Sequence, residues 1–227
     1  MIFANRTEAG QKLVLRLRKY ANRDDVIVLA APRGGVPTAF EVATNLKVPL
    51  DVFVLRKLGV PGHEELAFGA IASGGVRVLD RNTVEGLGLT GLDIERVTRA
   101  EERELERRER AYRDGRPMLD VRGMTVILID DGIATGSSVR AAIRALRQMK
   151  PARIVIAVPV APPSVCNRLR VEVDELVCLE MPEPFYGVGR FYDDFSQVSD
   201  EEVKQLLDSA SRQLRDSRHR DVQTIAR

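Results

Sequence analysis

Between Val126 and Ser138 the chain reads VILIDDGIATGSS, in which two adjacent carboxylates, Asp130 and Asp131, close an apolar run. The turn that follows, Gly132-Ile133-Ala134-Thr135-Gly136-Ser137-Ser138, combines glycines with three hydroxyl side chains. Such a turn at the entry of a helix offers backbone N–H groups and the positive end of the helix dipole, which suit a phosphate monoester. The carboxylates would repel that phosphate. They suit a neighbour carrying hydroxyls or a cation, such as a ribose beside its own phosphate. The competing reading is a plain strand-to-helix turn with an Asx cap. A Walker loop is excluded, because no GxxxxGK[ST] is present.

A second anion site is suggested by Pro32-Arg33-Gly34-Gly35, which follows the apolar run VIVLAA. Arg33 supplies charge, and the two glycines let backbone amides approach an anion closely. Lys57 closes another apolar stretch and either reaches an anion or is simply solvated. His63 lies in a glycine-rich loop, and with His219 as the other histidine neither a metal cluster nor a Ser-His-Asp triad is supported. Gly86 to Gly91 spells GLGLTG, but it follows charged DRNTVE rather than an apolar strand and reads as a turn. Near the C-terminus, EMPEPFYGVGRFYDDF gathers Phe185, Tyr186, Phe191 and Tyr192, whose rings either face a ligand or pack on the body of the protein.

The elements that must carry these residues alternate. A capping pattern at Asn5 and Glu8 starts a helix continued by Leu13, Leu17 and Tyr20, and Val26–Ala31 forms a strand buried on both faces. Pro37 opens a helix to Asn45, and Asp51–Leu55 forms a second strand. Gly74-Gly75 marks a β-hairpin projecting from the sheet, and Asp93–Arg113 a highly charged helix with one thin buried stripe, a solvated connector. Three units follow: Thr125–Ile129 with Ser137–Met149, Arg153–Val160 with Ser164–Leu169, and Glu175–Leu179. After a loop over 181–197, Ser199 starts a last helix, and a polar tail over 216–227 is expected to fray. The pattern implies one α/β domain over 1–227, a parallel sheet flanked by helices, with an insertion over 57–113.

Composition narrows the partners. The 35 basic residues are nearly balanced by 33 acidic ones, so the net charge of +2 gives no case for nucleic acid. No stretch approaches the ~18 apolar residues of a membrane span, and no apolar leader opens the chain. Cys166 and Cys178 lack CxxC spacing and read as buried hydrophobes in a reducing compartment. A cytoplasmic protein is expected.

VILIDDGIATGSS resembles the signature of type I phosphoribosyltransferases, which bind 5-phosphoribosyl pyrophosphate (PRPP). The resemblance implies that fold, with a β-hairpin flexible loop and a C-terminal hood over 181–197. It implies transfer of the phosphoribosyl group to a nitrogenous base with release of pyrophosphate, using Mg2+. Asp130 and Asp131 would hold the ribose hydroxyls, and 132–138 the 5-phosphate. Pro32, Arg33, Gly34 and Gly35 would hold pyrophosphate, with a cis peptide at Pro32-Arg33 and with Lys57 assisting. In the hypoxanthine-guanine branch the aromatic loop implies Phe185 stacking on the base, Val188 touching its edge through its backbone, and Asp193 touching a second magnesium, Asp130 and Asp131 being the other metal ligands. A homodimer is implied by analogy. Two departures bear on the acceptor: Ala134 stands where 6-oxopurine enzymes have an aspartate, and no lysine precedes the aromatic loop near Val173. A 6-oxopurine acceptor is therefore not expected. The same pocket would also serve a non-catalytic PRPP or nucleotide sensor, or a nucleotide hydrolase on the same fold.

Overall fold

The computed structural model describes residues 2–225. Helix α1 (Arg6–Leu17) leads to strand β1 (Val26–Ala30), helix α2 (Gly35–Leu46) and strand β2 (Leu50–Val52). The chain then builds β3 (Leu55–Val60), β4 (His63–Ala72), β5 (Val76–Leu79), α3 (Arg81–Gly86) and α4 (Gly91–Arg113). It returns through β6 (Thr125–Ile129), α5 (Ser137–Gln148), β7 (Arg153–Val160), α6 (Pro163–Leu169), β8 (Glu175–Glu180) and α7 (Asp200–Ile225).

Five strands form one parallel sheet in the order β2-β1-β6-β7-β8. The architecture is thus the expected α/β one. From β1 the chain moves outward to β2 and then crosses back to β6 on the other side of β1. The order therefore reverses between β1 and β6, and a crevice opens beyond their C-terminal ends. Register places Val26 opposite Thr125 and Ala30 opposite Ile129, so both strands end level at that crevice. Pro32–Gly35 leaves one lip and Asp130–Ser138 the other.

Every residue of β1 and β6 is buried, which is why both read as unbroken apolar runs. Val26, Val28, Ala30, Ile127 and Ile129 pack with Leu13, Leu46 and Leu207, on the face covered by α1, α2 and α7. The alternate residues Ile27, Leu29, Val126 and Leu128 pack with Ile143, Leu146 and Leu169 of α5 and α6. Cys166 is buried in the second of these layers, and burial pushes the half-buried Cys178 thiol up to about 12.

The stretch after β2 forms a separate cap. The expected second strand ends at Val52 rather than Leu55: Val54 donates its N–H to Ser73 Oγ at 3.0 Å and Ser73 returns one to Val54 O at 2.9 Å. There the chain leaves the parallel sheet and enters a three-stranded antiparallel sheet, β3-β4-β5, whose β4–β5 hairpin turns at Gly74-Gly75. GLGLTG is indeed a turn: Gly86 ends α3, and Thr90 caps α4 in a reciprocal capping box with Asp93. Along α4 only Thr98, Leu105, Tyr112 and Arg113 are buried, the first three at seven-residue spacing, which makes the thin stripe. Arg113 anchors its last turn, donating to Asp51 Oδ1 at 2.8 Å and Val52 O at 2.6 Å.

Helix α7 continues to Ile225, past the point where fraying is expected at 216. No glycine or proline follows Asp200 to stop it, and Arg218 pairs with Asp24 at 3.2 Å. Of the polar tail, residues 226 and 227 lie outside the described residues.

Candidate active site

The two lips of the crevice touch. A Cβ on Gly34 would collide with Asp131 Oδ2, and one on Gly35 would lie 2.8 Å from Ile129 O and 2.9 Å from Asp130 Cα. Both positions are held to glycine by the acidic pair as well as by any anion. The Pro32-Arg33 peptide is cis, as the resemblance implies. The Arg33 guanidinium is engaged by Asp200 at the start of α7, at 3.5 Å, and Tyr112 donates its hydroxyl to the same carboxylate at 3.1 Å.

In the Gly132–Ser138 turn, Gly136 takes φ +80° as the residue before α5, a conformation open to glycine at little cost. Thr135, Ser137 and Ser138 are exposed, and Thr135 Oγ1 lies 3.2 Å from Ser137 Oγ. Lys57 reaches across from β3 and donates its ammonium to Ser137 Oγ at 3.2 Å, so the structure brings it to the Gly132–Ser138 turn. Ile133 departs from expectation. Its side chain is buried in the core, and its N–H donates to Val160 O at 2.9 Å, so it anchors the turn instead of offering an amide.

Asp131 donates its N–H to Asp130 Oδ1 at 2.9 Å. Burial, reinforced by the adjacent Asp131 charge, pushes the Asp130 carboxyl well above the usual carboxylate range. Burial raises Asp131 as well, against the opposing pull of Arg6. Arg6, the first residue of α1, donates Nε to Asp131 Oδ2 at 2.8 Å and Nη1 to Ser196 O at 2.8 Å, and its guanidinium lies 3.9 Å from the Phe195 ring centre. Asn5 fixes that helix start by accepting the Glu8 N–H at 2.9 Å. Tyr192 closes the other side, donating its hydroxyl to Asp131 O at 2.6 Å.

The aromatic loop is divided between packing and site. Tyr192 is buried against Phe3 and Val160, and Phe185 stacks on Phe191 with ring centres 5.2 Å apart. Val188 abuts the Gly132–Ser138 turn, its Cγ1 standing 2.5 Å from where a Cβ on Gly132 would sit. Among the described residues no group of three or more His, Cys, Asp or Glu side chains is placed to hold a metal ion. The Asp193 N–H is tied to Phe3 O at 2.9 Å, next to the buried Tyr192.

A cavity of about 730 Å³ opens between the crevice and the cap. Pro32, Lys57 and Asp130 border it on one side, and Val97, Ala100 and Glu101 of α4 on the other. Glu101 accepts from Arg56 Nε at 2.6 Å, tying α4 to β3 across the opening. The charged helix is therefore a wall of the cavity rather than only a solvated connector, which fits the expectation that it backs a hood over the site. Sequence reasoning missed Arg6: its partner lies 125 positions away, and no local signal exists.

No helix among the described residues is long and apolar enough to cross a membrane. Residues 2–195 match the family described as the phosphoribosyl transferase domain. Two Mycobacterium tuberculosis proteins, from strains H37Rv and CDC 1551 and each named "Putative phosphoribosyl transferase", are 44% identical over 211 residues, 93% of this chain and 47% of theirs. The chain thus spans about half the length of the curated relatives it matches. The crystal structure of TT1426 from Thermus thermophilus superposes with a TM-score of 0.80 at 39% identity, covering 91% of this chain and 98% of that one.

Proposed function

Because this chain belongs to the phosphoribosyl transferase family, we propose that it transfers the 5-phosphoribosyl group of PRPP to a nitrogenous base in the cytoplasm and releases pyrophosphate. One observation carries the reading: the Pro32–Gly35 turn and the Asp130–Ser138 segment meet at the switch point of the parallel sheet, with Gly34 seated against Asp131.

In this reading the exposed hydroxyls of Thr135, Ser137 and Ser138, the N-terminus of α5 and the Lys57 ammonium bind the 5-phosphate. Asp130 and Asp131 accept from the ribose 2- and 3-hydroxyls. The Gly34 backbone amide receives the diphosphate beside the cavity that Pro32 borders, with Arg33 adding charge, while the Gly35 N–H is held by Ala31 O at 3.1 Å. Positive charge grows on the ribose ring as the bond to pyrophosphate breaks, and the protein's task is to hold the nucleophilic nitrogen within about 3.5 Å of C1. The α4 wall excludes water that would otherwise intercept the sugar. Phe185 and Val188 form the acceptor side.

The donor set fits Mg2+. Two adjacent carboxylates whose burial disfavours their charge gain from a cation, and Mg2+ takes one or two carboxylates, completing its shell with water and substrate phosphate oxygens. When bound it would neutralise charge on the departing diphosphate.

The test is to incubate the protein with PRPP, Mg2+ and a panel of nucleobases and to measure pyrophosphate release and the phosphoribosylated product. One acceptor class giving equal amounts of both is the expected result. Saturable PRPP binding without turnover for any base overturns the enzymatic reading in favour of a sensor, and phosphate release without an acceptor overturns it in favour of a hydrolase.

A further inference from the structure

Asp131 is gripped at more points than a surface carboxylate needs. Its N–H is held by Asp130 Oδ1 at 2.9 Å, its carbonyl by the Tyr192 hydroxyl at 2.6 Å, and its Oδ2 by Arg6 Nε at 2.8 Å. The same Oδ2 lies so near Gly34 that a methyl there would collide with it. Oδ2 is thus enclosed between a guanidinium and a backbone, and Oδ1 is the oxygen left to meet a ligand. Arg6 is itself fixed, since Ser196 O takes its Nη1 at 2.8 Å, the Phe195 ring lies 3.9 Å from its guanidinium carbon, and its side chain is 11% exposed. It also sits 3.4 Å from the Cβ position of Gly34. One side chain therefore meets the acidic pair, the glycine turn and the aromatic loop.

We infer that Arg6 is a positioning residue that locks the Asp131 carboxylate in a single orientation, so that one oxygen is presented to a sugar hydroxyl and the site discriminates ribose from deoxyribose 5-phosphates. This rests on the sugar-phosphate reading of the site given above. An aspartate free to rotate would offer either oxygen and adapt to a sugar lacking one hydroxyl. An aspartate held on one side leaves a buried acceptor unmatched when the hydroxyl is missing, and that mismatch is the source of selectivity. Arg suits this task better than Lys, because its planar fork donates to Asp131 and Ser196 at once while stacking on Phe195.

The experiment is calorimetric titration of the full chain in magnesium buffer with ribose 5-phosphate, 2-deoxyribose 5-phosphate and inorganic phosphate, for the wild type and Arg6→Ala. The wild type is expected to prefer ribose by about ten-fold, the worth of one matched hydrogen bond to a charged acceptor. Arg6→Ala is expected to bring that ratio close to one while inorganic phosphate affinity stays within about two-fold, since the phosphate turn does not touch Arg6. A purely structural role would weaken all three ligands in parallel and preserve the ratio, which overturns the inference. If Arg6→Ala does not fold, Arg6→Gln takes its place with the same criterion, and a wild-type ratio in the folded variant overturns it. A wild-type protein that binds neither sugar phosphate refutes the sugar-phosphate reading, and this inference with it.

Discussion

Arg6 meets Asp131 at 2.8 Å and Arg113 meets Asp51 at 2.8 Å, yet the two pairs sit in opposite surroundings. Asp51 is answered on both oxygens. Val52 N–H and Arg113 share Oδ1, and Leu119 N–H takes Oδ2 at 3.0 Å, while Arg113 also reaches Val52 O and Glu109. Asp131, by contrast, stands beside a second half-buried carboxyl, and loss of solvation lifts both above their ordinary range. A charge whose partners are all in place fixes architecture. Two like charges pressed together in a crevice are held against their own preference, and perturbed groups of this kind gather where a ligand is to be bound.

The comparison is most severely tested at the fully satisfied pair. Arg113→Ala leaves Asp51 buried without its counter-ion and is expected to lower the unfolding free energy by about 3–5 kcal/mol in urea titration. Replacing both partners by apolar residues should cost much less. A loss below about 1 kcal/mol for the single change would make Arg113–Asp51 no more than a surface contact.

Gly34→Ala attacks the site pair instead. The added methyl must displace the Asp131 carboxylate, and misplacement on that scale costs on the order of a hundred-fold in rate. Pyrophosphate release at saturating PRPP is the measurement, alongside a melting curve. An unchanged rate would mean that the contact between the two lips has no part in the chemistry.

A smaller effect of unusual sign is expected at Asp130. Its carboxyl is raised in the folded protein, so its contribution is fully present below its unfolded value of 3.8 and is lost as pH rises through the folded value. Asp130→Asn keeps an oxygen for the Asp131 N–H and removes the unfavourable charge. The variant should melt at a higher temperature than the wild type at pH 7 to 8, with the difference vanishing toward pH 4, a window set by the direction of that shift. A lower melting temperature at neutral pH would show that the carboxylate is stabilised where it stands.

Smallest of all is Glu101→Gln. The Arg56–Glu101 pair is 29% and 26% exposed by side chain, which limits its worth to under about 1 kcal/mol. The unfolding midpoint should barely move, while amide hydrogens in α4 exchange faster. Unaltered exchange would mean that the seven-spaced stripe of Thr98, Leu105 and Tyr112, with Arg113 anchoring the last turn, is enough to hold the helix down.

What the sequence made legible was whatever is written locally. The unbroken runs of β1, β6 and β7, the turns at Pro32–Gly35 and Gly132–Ser138, and the Gly74-Gly75 hairpin all depend on neighbours in the chain, and each lies where expected. The apolar run across Val52–Leu55 conceals a change of sheet, because burial continues through Phe53 and Val54 while the hydrogen bonding switches partner. The Ile133 amide reads as a phosphate donor because the turn alone cannot show that Val160 O already holds it. Arg6, Arg33 and Lys57 are single charged side chains whose partners, Asp131, Asp200 and Ser137, come from distant segments. No periodicity or cap records such a meeting.

The pairing of Val26 with Thr125 and of Ala30 with Ile129 bears on how this chain is made. Parallel neighbours need a crossover, and the whole cap lies within the one that joins β2 to β6. As the chain leaves the ribosome, β1 therefore has only the three-residue β2 beside it until Ile129 has emerged. The antiparallel strands of the cap pair with their immediate successors and close much shorter loops. The cap is expected to take shape first on the nascent chain, with the wall standing before the sheet that completes the cavity behind it.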